Sequence, residues 1–331
     1  MESILIISLL LGFFVTFFFT PIWIKRARDV NLFGEDIHKI SKEKISEAGG
    51  VCTLLGFLFG TLSYIAIKTF YFKDMNQSIE IFALLSVILI TSFIGLLDDI
   101  LGWRIGLNRK TRIFFLIFAS IPLIVINAGE SMMMGVEFGL FYPLFFIPLG
   151  IVGATATFNF LAGYNGLETS QGILILSGLA IVSWAVGNNW LGFISLIMVS
   201  CLLAFFVFNK YPAKVFPGDI LTYSVGALIA TVAILGNIEK IAIFFFIPYI
   251  LETILKVRGK LKKQSFAKLN SDGSLEIPYE KFYGLEHIAV FLLKKLKKNK
   301  KAYEKEVVWV INSFQILVII LGLILFRGTI F

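Results

Sequence analysis

Ten apolar runs, each approaching the ~20 residues a helix needs to cross a bilayer, recur along this chain and set the terms for any fold. They lie near 4–24, 49–71, 81–97, 113–127, 141–158, 171–187, 190–208, 220–236, 240–256 and 307–326. With 57% apolar residues and a mean hydropathy of +0.86 over 331 residues, the chain is too apolar for a water-soluble core. The sequence predicts an all-α integral membrane protein of about ten spans, one domain over 1–331. The first run ends in "KRARD" without a small-residue cleavage site, so it reads as a retained helix and not a signal peptide.

An even number of spans puts both termini on one side. All Lys and Arg except Lys68, Lys73, Lys240 and Arg327 fall in the odd-numbered connections. The positive-inside rule then places those connections in the cytoplasm and the termini outside. The net charge of +8 thus belongs to one membrane face, where anionic headgroups or phosphorylated substrates meet it, and nucleic acid is not the expected partner. The one long external connection is "NAGESMMMGVEFG", 127–139. The largest cytoplasmic segment, 257–305, holds "NSDGS" between two short candidate strands, a β-hairpin signal, followed by "LEHIAVFLLKKLKKNKK". Apolar residues at 285, 288, 292, 293 and 296 among lysines describe a basic amphipathic helix on the membrane surface.

Polar residues gather where spans meet the cytoplasm. "GLLDDILGWRIGLNRKTR", 95–112, ends the third run with Asp98 and Asp99 at a helix C-terminus, where the macrodipole and their mutual repulsion call for positive charge nearby. They read either as interfacial acids neutralised by Arg104, Arg109, Lys110 and Arg112, or as a carboxylate pair serving a divalent cation or a proton transfer. "FNFLAGYNGLETSQG", 158–172, closes the fifth run with Asn159, Gly163, Asn165 and Glu168, amides and an acid where lysines usually end a membrane segment. Irregular backbone at that depth is tolerated only in protein or against a wet cavity. Asp219, in "VFPGDILTYSVGAL", reads alone as an N-cap of the eighth helix. Taken together, Asp98, Asp99, Asn159 and Asp219 are candidates to converge on one site. Lys39 and Glu47, in "EDIHKISKEKISEAGGV", lie in a charged first cytoplasmic loop. His38 and His287 are the only histidines and Cys52 and Cys201 the only cysteines; none has transition-metal spacing.

These stretches, in this order, resemble the polyprenyl-phosphate N-acetylhexosamine-1-phosphate transferase superfamily, glycosyltransferase family 4. The resemblance is strongest to its archaeal and eukaryotic UDP-N-acetylglucosamine–dolichyl-phosphate N-acetylglucosamine-1-phosphate transferases, and it runs through "ISEAGGV", "GLLDDIL", "NFLAGYNGLETSQG", "VFPGDILTYSVGAL" and "LNSDGSLEIPYEKF". It implies a ten-helix bundle with cytoplasmic catalysis. The expected substrates are a UDP-sugar and a polyprenyl or dolichyl phosphate held among membrane lipid. The cofactor implied is Mg2+, with Mn2+ as substitute, on Asn159 and Asp219. It further implies catalytic roles for Asp98, Asp99 and a phosphate-contacting Lys110, with Arg109 or Arg112 as substitutes. Gly163, Asn165 and Phe216 match nucleoside-pocket positions, Glu168 a nearby acid, and Lys39 and Glu47 the first loop. Eukaryotic members carry Arg-His-Arg before the hairpin where this chain has Lys263, Gln264 and Ser265. Gln264 and Ser265 retain hydrogen bonding toward an N-acetyl group but bring no charge. An archaeal cell membrane is the expected location, with an endoplasmic reticulum membrane for a eukaryotic chain, and the apolar outer faces leave room for a homodimer. The competing class is a lipid or sugar transporter, which calls for ionisable groups near the bilayer midplane.

Overall fold

The computed structural model describes residues 2–129, 132–133 and 136–330. Among the described residues, seven helices are long and apolar enough to cross a membrane: α1 (Ile6–Asp29), α2 (Gly50–Ala66, continued by a π turn Ile67–Tyr71), α3 (Ser78–Ile105), α7 (Leu167–Ala185), α8 (Asn189–Asn209), α9 (Gly218–Leu235) and α13 (Glu304–Leu325). The other three apolar runs are broken. The run at 113–127 forms α4 (Arg109–Ala119) and α5 (Ile121–Val125), divided at Ser120 ahead of Pro122. That at 240–256 forms α10 (Glu239–Phe245) and α11 (Ile247–Arg258), divided at Phe246 ahead of Pro248. That at 141–158 is a π turn, Tyr142–Phe146, leading into α6 (Ile147–Phe158). A proline lacks the N–H that an uninterrupted helix needs and fits at the start of the next one, which is where Pro122, Pro143, Pro148 and Pro248 stand.

α9 lies at the centre, with 83% of its apolar window buried, against 22% for α1. Its principal neighbours are α3 and α6, while α1, α2, α7 and α8 pack among themselves beside it. The outer surface carries Phe14, Phe18, Ile22, Phe93, Leu149 and Ile324, all exposed. Apolar residues on the outside as well as inside are what lipid, not water, stabilises. The chain is therefore an integral membrane protein.

Three two-stranded antiparallel sheets complete the fold. In the loop between α1 and α2, β1 (Phe33–Glu35) pairs with β2 (Lys44–Ser46). β3 (Met132–Met133) pairs with β4 (Val136–Glu137) in the 127–139 connection, which lies partly beyond the described residues. The expected hairpin is present as β5 (Lys268–Leu269) and β6 (Leu275–Glu276). Its turn is closed by the Asn270 N–H on the Ser274 carbonyl at 2.8 Å and by Asp272 Oδ1, which accepts from the Ser274 N–H and hydroxyl. Lys301 and Ser274 hold the exposed Asp272 carboxyl below the usual carboxylate range. The expected amphipathic helix is α12 (Leu285–Leu296), and it packs on α13. Leu285, Ala289 and Val290 are buried, whereas Phe291, Leu292 and Leu296 remain exposed among its lysines.

Candidate active site at the ends of three helices

α3 and α9 meet at Gly95, where a Cβ would stand 2.6 Å from the Asp219 carbonyl. That close approach brings the next turn of α3 to the first turn of α9. Asp99 uses it fully: its Oδ1 accepts from the Asp219 N–H at 2.7 Å and its Oδ2 from the Ile220 N–H at 3.1 Å. These are two of the orphan donors at the α9 N-terminus, so Asp99 caps a helix other than its own. Asp219 is thereby not the N-cap that its sequence position suggests. Its side chain is released into the cleft, where Oδ1 accepts from Asn159 Nδ2 at 3.1 Å and Oδ2 pairs with Arg112 at 3.3 Å.

Asp98 faces the same cleft. Its Oδ1 accepts from the Leu107 N–H at 2.7 Å and its Oδ2 pairs with Arg112 Nη2. Asp98 and Asp219 come within hydrogen-bonding reach of each other, and the guanidinium spans both. Arg112 is fixed in turn by Nε donating to the Leu107 carbonyl at 2.9 Å and by Tyr223 at 3.4 Å. Lys110, the sequence's first choice for this cation, is exposed, and Arg109 donates to the Leu261 carbonyl at 2.8 Å. The register explains the difference. Backbone at Gly102 (φ 70°, ψ 164°) leaves the helix, and Asn108 caps a new one, so of the basic residues Arg109, Lys110 and Arg112 it is Arg112, fourth in α4, that turns into the cleft.

The loop between α1 and α2 and the segment before α9 are stitched together beside this cleft. The Phe216 N–H donates to the Ser46 carbonyl at 2.7 Å, and the Gly49 and Gly50 N–H groups donate to the Phe216 and Pro217 carbonyls at 2.9 Å. Phe216 is half-buried there. Glu47 is close enough to Asp99 for the two carboxylates to repel, and burial pushes its own pKa up. Gly218, at φ +74°, would place a Cβ 2.3 Å from Asp99 Oδ2. Gly218→Ala is expected to cost about 1–3 kcal/mol and to dislodge the Asp99 cap. Gly139, also at positive φ but with nothing within 4 Å, supplies the control for backbone strain alone. A chemical denaturation series on the two alanine variants separates the effects: equal losses would show that the cap contributes nothing.

The loop after α6 lies against the hairpin segment. The exposed Gly163 N–H donates to Glu168 Oε1 at 2.7 Å, and a Cβ on Gly163 would meet Phe266 at 2.2 Å. Glu168 is buried in the first turn of α7. Asn165 is buried with each side-chain atom engaged: Nδ2 donates to Asp36 at 3.1 Å and Glu304 at 2.5 Å, and Oδ1 accepts from the Ala213 N–H at 2.7 Å. It joins four segments of the chain. Lys39 pairs with Asp36 at 3.4 Å and Glu43 at 3.3 Å.

Of the three residues before the hairpin, Gln264 and Lys263 are exposed, the latter with its ammonium 4.8 Å from the Tyr279 ring centroid. Ser265, expected to border the sugar, is engaged within the protein. It is buried, and its hydroxyl donates to Glu252 Oε1 at 3.1 Å, while Glu252 Oε2 caps α12 by accepting the Leu285 N–H at 2.6 Å. Next to it Glu286 is buried, and burial with repulsion from Glu252 raises its pKa well above the carboxylate range. Phe266, Glu252 and Glu286 carry no local motif; an acid in an otherwise apolar run was the one available signal for Glu252.

A site of oxygen donors and one guanidinium, at helix ends, suits charged phosphates and a hard cation. A family model described as glycosyl transferase family 4 matches residues 81–237, from α3 through α9. The chain is 37% identical to a putative UDP-N-acetylglucosamine–dolichyl-phosphate N-acetylglucosaminephosphotransferase of Saccharolobus solfataricus, across 86% of this chain and 88% of that relative. The chain belongs to glycosyl transferase family 4. A like-named Sulfolobus acidocaldarius protein is 32% identical across 97% of this chain and 95% of its own length. A Dictyostelium discoideum UDP-N-acetylglucosamine–dolichyl-phosphate N-acetylglucosaminephosphotransferase is 30% identical across 69% and 65%. The family 4 match contains Asp98, Asp99, Arg112, Asn159 and Asp219, the residues of the cleft.

Proposed function

We propose that this chain transfers N-acetylglucosamine 1-phosphate from UDP-N-acetylglucosamine to a dolichyl-type polyprenyl phosphate, as the first step of lipid-linked oligosaccharide assembly. The observation that carries this reading is the convergence of Asp98, Asp219, Asn159 and Arg112 in one cleft of a chain whose relatives bear that name. In the reaction an acceptor-phosphate oxygen forms a bond to the donor's β-phosphorus, the bond from that phosphorus to the α–β bridging oxygen breaks, and UMP leaves with the electron pair. The products are UMP and a lipid-pyrophosphate sugar.

Both substrates are anionic, so the chain must supply positive charge where they meet. Arg112, now shared by Asp98 and Asp219, is placed to turn its guanidinium toward a phosphate, which it binds in a bidentate fork. Asp98 then holds the acceptor's last proton, whose pKa near ~6 makes that a modest requirement. Asp99, with both oxygens committed to the α9 N-terminus, positions Asp219 and does not touch the reacting atoms. The donor set fits Mg2+: Asp219, Asn159 and Asp98 offer oxygens, with no thiol or imidazole among them. When bound, the ion supplies charge neutralisation at the pyrophosphate.

The broken pairs α4–α5 and α10–α11 and the turn leading into α6 complete ten crossings in this reading, with the cleft on the cytoplasmic side of an archaeal cell membrane. The 257–305 segment borders the sugar, Phe266 over Gly163 closing that end. Purified protein given Mg2+, a polyprenyl phosphate and a panel of UDP-sugars tests the proposal. Lipid-dependent nucleotide release from UDP-N-acetylglucosamine is the expected result. Release from none of the donors, by folded protein with several lipids, would overturn it and favour transport.

A further inference from the structure

Asp36, in the first cytoplasmic loop, His38 two residues on, and Glu304, at the start of α13, are all buried and offer ligand atoms within 4.8 Å of one another. We propose that these three side chains form a second cation site, for a divalent first-row transition ion of the zinc class, that fastens the first cytoplasmic loop to the last membrane helix.

Unmet polar valence carries the inference. The His38 side chain is 1% exposed, and among the described residues neither ring nitrogen has a hydrogen-bond partner. Tyr164 stacks on the ring at 4.3 Å and Phe266 meets its edge at 5.8 Å, so the imidazole is held in plane without being satisfied. Its Nδ1 points at Glu304, 4.0 Å from Oε1. Glu304 Oε2 is buried and unpartnered as well. Buried polar atoms are nearly always paired, and an unpaired one costs about 1–3 kcal/mol. Unpaired buried atoms on two neighbouring side chains distant in sequence are what a shared cation would satisfy.

The network around Asn165 leaves the necessary atoms free. Asn165 Nδ2 takes Asp36 Oδ2 and Glu304 Oε1, and Lys39 adds to Asp36 Oδ2. Asp36 Oδ1 accepts only the His38 N–H, at 3.1 Å, which leaves it a lone pair. His38, Asp36 and Glu304 each offer one ligand atom within 4.8 Å of the others, an N,O,O set. Charge agrees, since two buried carboxylates face Lys39, which is itself shared with Glu43. Imidazole beside carboxylates suits zinc-class ions, whereas Mg2+ takes oxygen donors. The Asp98, Asp219 and Asn159 set contains no nitrogen ligand of this type, so the two sites sort ions by chemistry. Sequence spacing could not show this one, because its third ligand lies 266 positions beyond His38 in the chain.

The test reads the metal directly. Full-length protein in detergent is stripped with a chelator, loaded with Zn2+, dialysed and assayed for bound zinc, and its zinc X-ray absorption spectrum is recorded. One zinc per chain with one imidazole in its shell is expected. Because the chain has two histidines, His287→Ala should keep that signal and His38→Ala should weaken binding by about 100-fold or more. Asp219→Ala should retain the zinc while losing transferase activity, which separates this site from the catalytic one. Failure to retain zinc, or zinc held without an imidazole in its shell, overturns the proposal, and this readout on the unmodified chain does not depend on whether a variant folds.

Discussion

Asp219→Ala is expected to abolish nucleotide release, lowering kcat by about 10³-fold or more while leaving the fold intact. Such a loss is about 4 kcal/mol of transition-state stabilisation, the size expected for an electrostatic contact at a phosphoryl group. Thermal melting should change little, because the Asp219 carboxylate caps no helix: that work belongs to Asp99. Asp99→Ala should behave oppositely in kind. It strands two N–H groups at the α9 N-terminus, costs about 1–3 kcal/mol of stability, and lowers activity through misplacement of Asp219. Measuring Tm and kcat for both variants distinguishes a group that acts in the chemistry from one that positions it. An Asp219→Ala enzyme with near-normal turnover would remove the metal and pyrophosphate role from this residue.

Arg112→Ala is the second large effect. Without the guanidinium, Asp98 and Asp219 face each other with no cation shared between them, and the phosphate loses its fork. A fall of about 10²–10³ in kcat/KM is expected, and Arg112→Lys should recover only part of it, since a point charge cannot bridge two carboxylates in one plane. Lys110→Ala, at an exposed position about half a turn around α4 from Arg112, should stay within about threefold of the parent. Steady-state kinetics on the three variants decides between them, and a Lys110 defect as large as that of Arg112 would show that the cleft rearranges on substrate binding.

The convergence of Asp98, Asn159 and Asp219 was legible in the sequence because each is an oxygen-bearing residue at the end of an apolar run, and the environment there makes polarity expensive. The hairpin at "NSDGS" and the helix at 285–296 were legible through turn chemistry and period. Which of Arg109, Lys110 and Arg112 turns into the cleft was not, since the backbone leaves the helix at Gly102 and residue counting past that point no longer tells which face a side chain occupies. Asp99 and Asp219 also exchange the roles that their positions suggest: capping across helices depends on the approach at Gly95, a tertiary fact. Hydropathy saw single spans at 113–127 and 240–256 because Pro122 and Pro248 barely change a window average, although each starts a new helix. Ser265 looked free because its partner, Glu252, stands in a preceding apolar run.

The most direct test of the central claim is the identity of both products, not the rate. Protein incubated with UDP-N-acetylglucosamine and a polyprenyl phosphate should yield UMP and a lipid whose mass has grown by one N-acetylhexosamine and one phosphate, as phosphoryl transfer at the β-phosphorus requires. UDP as the released nucleotide, with a lipid that has gained the sugar alone, would mean attack at the anomeric carbon and would contradict the role assigned to the Asp98, Asp219 and Arg112 cleft.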